Sequence, residues 1–383
     1  MKKIVLAIDS YKGCLSSREA EEAAAQGIRR IFPFCETVCL PVADGGEGML
    51  DALVSATEGR YIPIRAHNPI MEIIDTRYGI AADEKTAFIE MAAVSGLPLL
   101  PPEKRNPLLT TSYGTGELIR DALEKGCTRF IIGLGGSATN DAGMGMLQAL
   151  GFRFFSKNKM ELGLDTAING KMMKNIDFID TSSALPSLFS AHFTGACDVH
   201  NPFFGSNGAA YVFAPQKGAT PAMTEELDNG LRHLSMTILK CTGKSISHLP
   251  GSGAAGGMGG GMMAFLNSEL KSGFGLIAEM LNFEEQIKDA DFIFTGEGKS
   301  DRQTLMGKTA YGILAKARRQ QIPIILLSGS IEDTEELNQA GFHAVFSTTP
   351  FPISLEQAMN RENACTNIRR TAEQICRIIN IRQ

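Results

Sequence analysis

The feature that most constrains this chain is a unit met twice in its first 56 residues: a short apolar run, a loop carrying an acid and glycine, and a run of helical period. Residues 3–9 are β-branched and apolar and lead through 10–15 into Ser17–Ile31, where Ala20, Ala23, Ala24, Gly27, Ile28 and Ile31 share one helical face. Ser16 followed three residues later by Glu19 is a capping-box signature that fixes the helix start. A second strand over 37–42 passes through Ala-Asp-Gly-Gly-Glu-Gly into a helix over Met49–Ala56. Repeated β-loop-α units imply a parallel sheet, because each helix carries the chain back to the edge where the previous strand began.

The pattern then changes. Arg60–His67, 71–80 and 85–91 read as strands joined by short turns at Asn68-Pro69 and Ala82-Asp83-Glu84, which is a meander. Helix and strand resume over 116–124 and 129–135, and a long middle region contains 194–198, 210–214 and a glycine-rich stretch. From 291 onward strand, helix and strand return at 291–295, Thr309–Arg319 and 323–328. A last amphipathic helix carries Ala364, Ile368, Ala372, Ile375 and Ile379 on one stripe. A chain of 383 residues exceeds the ~250 at which single cores stop growing. The expectation is an α/β protein of two domains. A doubly wound parallel-sheet (Rossmann/flavodoxin-like) domain is built from 1–60 with 285–383, and a mixed α/β domain over 61–284 is inserted into it.

Bulk properties exclude several classes. With 44% hydrophobic and 21% charged residues there is ample apolar surface for a core. A net charge of −5 without a Lys/Arg run argues against nucleic acid as a partner. The longest apolar runs, 4–8 and 322–327, fall far short of the ~20 residues that span a bilayer. The Met-Lys-Lys start lacks signal-peptide character, so a cytoplasmic location is expected. Eight cysteines without a Cys-x-x-Cys pair read as reduced thiols, and Cys197 with His200 is too few ligands for zinc. Whether the chain self-associates is left open.

In a parallel sheet ligands sit at the carboxyl ends of strands, so the loops that follow strands carry the chemistry. Four combine an acid or amide with glycine, Asp9-Ser10-Tyr11-Lys12-Gly13, Asp44-Gly45-Gly46-Glu47-Gly48, Thr295-Gly296-Glu297-Gly298-Lys299-Ser300-Asp301 and residues 133–141 ending Asn140-Asp141, and a fifth, Cys197-Asp198-Val199-His200-Asn201-Pro202, carries an acid and an amide without glycine. One such loop is ordinary turn chemistry. Five together suit phosphoryl transfer, since glycine admits polyphosphate to the backbone and carboxylates hold Mg²⁺. Gly243-Lys244-Ser245, Gly298-Lys299-Ser300 and Gly307-Lys308-Thr309 lack the glycine five positions upstream that a Walker A loop needs. Gly251-Ser252-Gly253-Ala254-Ala255-Gly256 matches GxGxxG but follows His-Leu-Pro instead of a strand. It reads as a closely packed helix start or a loop that approaches phosphate, with Gly257 continuing it. No Gly-x-Ser-x-Gly elbow and no His-Glu-x-x-His pair is present, and the six histidines are scattered.

Asp-Ser-Tyr-Lys-Gly at 9–13, Pro-Val-Ala-Asp-Gly-Gly-Glu-Gly at 41–48 and Thr-Gly-Glu-Gly-Lys-Ser-Asp-Arg-Gln-Thr-Leu-Met-Gly-Lys at 295–308 resemble the bacterial glycerate kinases. So do Gly-Gly-Ser-Ala-Thr-Asn-Asp at 135–141, with Gly143 and Gly145, and Asp-Val-His-Asn-Pro at 198–202. The resemblance runs almost end to end, with Tyr11 departing from the family's usual Phe. It implies ATP- and Mg²⁺-dependent phosphorylation of D-glycerate, to 2-phosphoglycerate or 3-phosphoglycerate, in a two-domain α/β fold unrelated to P-loop kinases.

On that reading Lys12 meets a phosphate, Glu297 or Asp301 holds Mg²⁺, and Asp198 or Asp44 orients or deprotonates the attacking hydroxyl. Gly45, Gly46, Gly256, Gly257, Gly296 and Gly298 give ATP close access to the backbone. Asp9, Asn140, Asp141 and Asn201 contact the acceptor, whose carboxylate meets Arg302 or a helix N-terminus. Two rivals remain. A regulator that binds a hydroxy acid without turnover has less need of the acidic loops. A nicotinamide-dependent hydroxy-acid dehydrogenase needs a GxGxxG after the first strand, which 9–14 is not.

Overall fold

The computed structural model describes residues 1–46, 48–307 and 309–381. Glu47 and Lys308, both in motifs singled out above, lie outside the described residues. The chain separates into two compact units, one of residues 1–57 and 273–383 and one of 58–272.

In the first unit the described residues form a five-stranded sheet in the order Glu36–Cys39, Lys3–Ile8, Phe292–Ser300, Ile324–Ile331, Ala344–Ser347, with every neighbouring pair parallel. Numbered along the chain this is 2-1-3-4-5, the flavodoxin-like doubly wound order. The strands read as continuous apolar runs because helices cover both faces. Ile4, Leu6, Ile8, Phe294, Ile325 and Leu327 share a core with the Ser17–Ile31 helix and with Ala364, Ile368, Ala372 and Ile375 of the C-terminal Arg361–Asn380 helix. These two helices pack so closely that a Cβ on Gly27 would lie 2.2 Å from the Arg369 carbonyl oxygen. The Thr309–Arg319 helix packs against the Phe292–Ser300 and Ile324–Ile331 strands through its own apolar face. Ser16 and Glu19 make the expected reciprocal capping box at the start of Ser17–Ile31.

The second unit holds a mixed six-stranded sheet in the order Glu269–Lys271, His192–Ala196, Arg129–Gly133, Thr86–Glu90, Ile73–Ile80, Arg60–His67. The first four strands are parallel to one another, and the meander is antiparallel as its turns predict. A small antiparallel sheet of Arg153–Phe155, Glu161–Leu162 and Phe178–Asp180 follows, from the middle region where the sequence shows no strand period. Residues 210–214 fall mostly in a short helix, Ala209–Phe213. No described helix is long and apolar enough to cross a membrane.

Candidate active site

In a 2-1-3-4-5 sheet the helices switch faces between strands 1 and 3, and a crevice opens at their carboxyl ends. Here that point lies between Lys3–Ile8 and Phe292–Ser300, which are in register with Ile8 opposite Gly296. Asp9 and Glu297 therefore emerge side by side by topology alone. Register carries the level across the sheet, with Glu297 opposite Ser328 and Ser328 opposite Ser347. The result is a cavity of about 1010 Å³ over the strand ends, lined by Asp9, Lys12, Asp44, Glu297 and Gly298 at one side and by the chain from Ser347 to Met359 at the other.

Asp9 is buried, with Oδ2 accepting from Thr309 Oγ1 at 2.8 Å and Oδ1 from the Ser10 amide at 2.6 Å. Burial pushes its carboxyl up to about 7, and the charge of Asp44 adds to the rise. Lys12 Nζ donates to Asp44 Oδ2 at 2.8 Å, while the Gly46 amide donates to Asp44 Oδ1 at 3.2 Å, so the turn at Gly45 and Gly46 holds the acid in place. Glu297 Oε1 accepts from Ser300 Oγ at 3.1 Å and Thr304 Oγ1 at 2.6 Å. Gly298 lines the cavity. Gly296 serves packing, since a Cβ there would lie 1.8 Å from the Leu327 carbonyl oxygen.

Two residues expected in this region point elsewhere. Asp301 caps the Arg302–Leu305 turn, accepting from the Gln303 amide at 2.8 Å, and its other oxygen lies 3.7 Å from Lys299 Nζ. The Arg302 guanidinium stands 3.4 Å from Glu336 on the surface. Neither lines the cavity.

The remaining candidates lie in the second unit, on the loops that follow the adjacent parallel strands Arg129–Gly133 and His192–Ala196. Asp141 is fully buried and accepts from the Ser112 amide and hydroxyl at 2.8 and 2.7 Å and from the Gly143 and Gly145 amides at 3.1 and 3.2 Å. Burial raises its carboxyl and these donors oppose the rise. Asn140 is equally buried, yet neither its Oδ1 nor its Nδ2 has a hydrogen-bond partner among the described residues. Asn201 Nδ2 donates to the Asn207 carbonyl at 2.8 Å, and Asp198, half-buried, sits just past its strand end.

Gly256 and Gly257 pack against the 139–142 loop. A Cβ on Gly256 would stand 2.1 Å from the Thr139 carbonyl oxygen, and Ala255, Gly256 and Gly257 all take left-handed backbone angles inside the helix they open. Of the two readings of this GxGxxG stretch, close packing accounts for the geometry.

Sequence reasoning did not single out three features of these two regions. Thr309, the partner of Asp9, was visible only as a helix start. Lys217 is buried and donates to Ser137 Oγ and the Thr139 carbonyl, both at 2.7 Å, and burial holds its ammonium down to about 7. No motif surrounds it. The 348–359 segment carries neither acid-glycine pairs nor a clear period, so nothing in its sequence announced a cavity wall.

The sequence model of the glycerate kinase family matches residues 4–380. The Escherichia coli (strain K12) glycerate 2-kinase is 46% identical over 374 residues, 97% of each chain. The Bacillus subtilis (strain 168) glycerate kinase is 43% identical over 99% of this chain and 98% of its own. Among solved structures, a crystal structure from Salmonella typhimurium LT2, named as a glycerate kinase 2, superposes with a TM-score of 0.88 at 42% identity, covering 99% of this chain and 98% of that one. The fold at the switch point, the loops it gathers and these end-to-end matches together place the chain in the glycerate kinase family.

Proposed function

We propose that the chain transfers the γ-phosphoryl group of ATP to a hydroxyl of D-glycerate, with 2-phosphoglycerate as the product. The observation that carries this reading is the gathering of Asp9, Lys12, Asp44 and Glu297 in one cavity at the sheet's switch point.

Phosphoryl transfer asks a protein to position the acceptor, neutralise charge and exclude water, with little covalent help. Lys12 supplies a cation on the loop after the first strand and turns from Asp44 toward a phosphate oxygen. Asp9 accepts the hydroxyl proton as the acceptor oxygen bonds to phosphorus and the bond to the ADP oxygen breaks. Its elevation to about 7 suits it to take up that proton near neutral pH. Thr309 holds the Asp9 carboxylate in one orientation. Asn140, whose Oδ1 and Nδ2 have no hydrogen-bond partner among the described residues, supplies a donor and an acceptor for the hydroxyls of the acid.

Among the described residues no group of three or more His, Cys, Asp or Glu forms a metal cage. Mg²⁺ requires none, because it binds through one or two carboxylates and completes its shell with phosphate oxygens and water. Glu297 fits as that carboxylate, a hard oxygen donor on the cavity wall steadied by Ser300 and Thr304. When bound, Mg²⁺ neutralises charge on the phosphates.

The test is ADP release by the purified chain with Mg-ATP and D-glycerate, L-glycerate or no acceptor, followed by phosphorus NMR of the product. Release that depends on D-glycerate and a 2-phosphate signal are expected. Equal release without acceptor overturns the reading, and a 3-phosphate signal overturns the regiochemistry.

A further inference from the structure

The cavity of the first unit has two unlike sides. One is the charged set just described. The other is formed by the chain that leaves the Ala344–Ser347 strand and by the short Leu355–Ala358 helix after it, and contributes Pro350, Phe351, Pro352, Ile353, Leu355 and Met359. Three of these are large side chains left open to solvent, Phe351 at 60%, Leu355 at 75% and Met359 at 41% exposure. Apolar groups collected around a cavity mark a binding surface.

The size and continuity of the cavity define the occupant. At about 1010 Å³ it lies at the upper end of the ~300–1,000 Å³ found for drug-sized ligands. A three-carbon acid fills a small part of that space and offers nothing to an apolar wall. The two sides are neighbours, because a Cβ on Gly13, one residue beyond Lys12, would lie 3.2 Å from Met359 Cε. The occupant of the apolar side is therefore within reach of whatever Lys12 holds. A flat, rigid heterocycle tied to a polyphosphate meets both requirements.

We propose that residues 350–359 seat the base of the nucleotide, with the ring against Phe351 and its edge read by Asn367. Asn367 stands on the Arg361–Asn380 helix and is the one side-chain amide among the described residues lining the cavity. An amide offers one donor face and one acceptor face. That pair matches the N7 acceptor and N6 donor of adenine and mismatches the two acceptors, N7 and O6, of guanine. The wall thus accepts a flat base, and Asn367 selects adenine over guanine. This assignment rests on the kinase reading above.

The test uses the full chain and three variants at exposed or half-buried positions, Phe351→Ser, Leu355→Ser and Asn367→Ala. Calorimetric titration with ADP reads the base contact without turnover, and inorganic tripolyphosphate, which lacks a base, serves as the control ligand. Phe351→Ser is expected to weaken ADP binding and raise the KM for ATP by about tenfold, the equivalent of one base stacked on an aromatic ring. Inhibition by tripolyphosphate and the KM for D-glycerate stay unchanged. Leu355→Ser moves the same quantities in the same direction, and Asn367→Ala narrows the preference for ATP over GTP. Unchanged ADP affinity in both serine variants overturns the proposal, as does a rise in the KM for D-glycerate alone or failure of the unmodified chain to bind ADP. If the unmodified chain binds ADP, the serine variants lose it and no glycerate is phosphorylated, the base site stands and the acceptor assignment falls.

Discussion

Thr309 Oγ1 lies 2.8 Å from Asp9 Oδ2, a hydrogen bond between residues 300 positions apart that links the first strand's end to the start of the Thr309–Arg319 helix. It holds a buried carboxylate in an environment that otherwise disfavours its charge. A base must be deprotonated to act, so kcat/KM, which reports the free enzyme, should rise with pH through about 7 and level off above it. Thr309→Val removes a hydrogen bond that lowers the Asp9 value and should move the inflection upward. Asp9→Asn should cost about 10²–10⁴ in kcat, the usual contribution of a positioned base. Measuring pH-rate profiles of D-glycerate-dependent ADP release decides this. Near-normal turnover in Asp9→Asn with loss in Asp198→Asn would transfer the base role to Asp198.

Lys12 and Asp44 separate activity from stability. Their 2.8 Å ion pair sits at the cavity with Lys12 more than half exposed, and such pairs contribute about 0–1 kcal/mol to folding. Lys12→Met should therefore leave the denaturant midpoint almost unmoved while raising the KM for ATP and depressing kcat. Lys12→Arg, which keeps the charge but changes its shape, should recover part of the loss. A large shift in the midpoint would show that the pair is structural first.

The polar half of the cavity was legible in the sequence for a topological reason. Parallel strands buried on both faces leave unbroken apolar runs, and the loops at their carboxyl ends face the ligand, so Asp9, Asp44 and Glu297 could be picked by position. The apolar half depends on which strand ends which edge of the sheet, and the order 2-1-3-4-5 is written in no local pattern. No local pattern around Phe351 and Leu355 consequently marks them as cavity residues. Arg302 is the contrasting case. It belongs to a motif rich in functional residue types, yet its side chain turns to Glu336 because the turn capped by Asp301 points it outward. The two- and three-residue strands around Phe154 are too short to show a period.

Gly256→Ala probes the packing of the second unit. The added methyl would meet the Thr139 carbonyl oxygen at 2.1 Å, an atom of a backbone that cannot rotate away, in a residue with φ of 67°. Overpacking of this kind costs about 1–3 kcal/mol, and the left-handed backbone adds to it. Because the clash pushes on the residue preceding Asn140, the variant should lose D-glycerate affinity as well as stability. Urea unfolding monitored beside the KM for D-glycerate checks both. An unchanged KM in a destabilised variant would remove Asn140 from the acceptor contacts.

Glu21 gives a stability prediction whose sign follows from burial. It is fully buried in the Ser17–Ile31 helix, with Oε1 accepting from the Ile8 amide at 3.2 Å and Oε2 unpartnered among the described residues. Burial pushes its carboxyl well above the ordinary glutamate range, against weaker pulls from the Ile8 amide and Ser17. Between the unfolded value near 4.5 and the raised folded value, the folded chain holds the proton and the unfolded chain does not. Stability therefore falls as pH rises through that window and is flat above it. Glu21→Gln keeps the acceptor for Ile8 and cannot ionise, so it escapes the fall. Its advantage over the unmodified chain should be absent below pH about 4 and should grow by about 1.4 kcal/mol per pH unit across the window. Urea midpoints taken from pH 4 to 9 on both chains measure that divergence, and parallel curves would mean that Glu21 ionises as freely folded as unfolded.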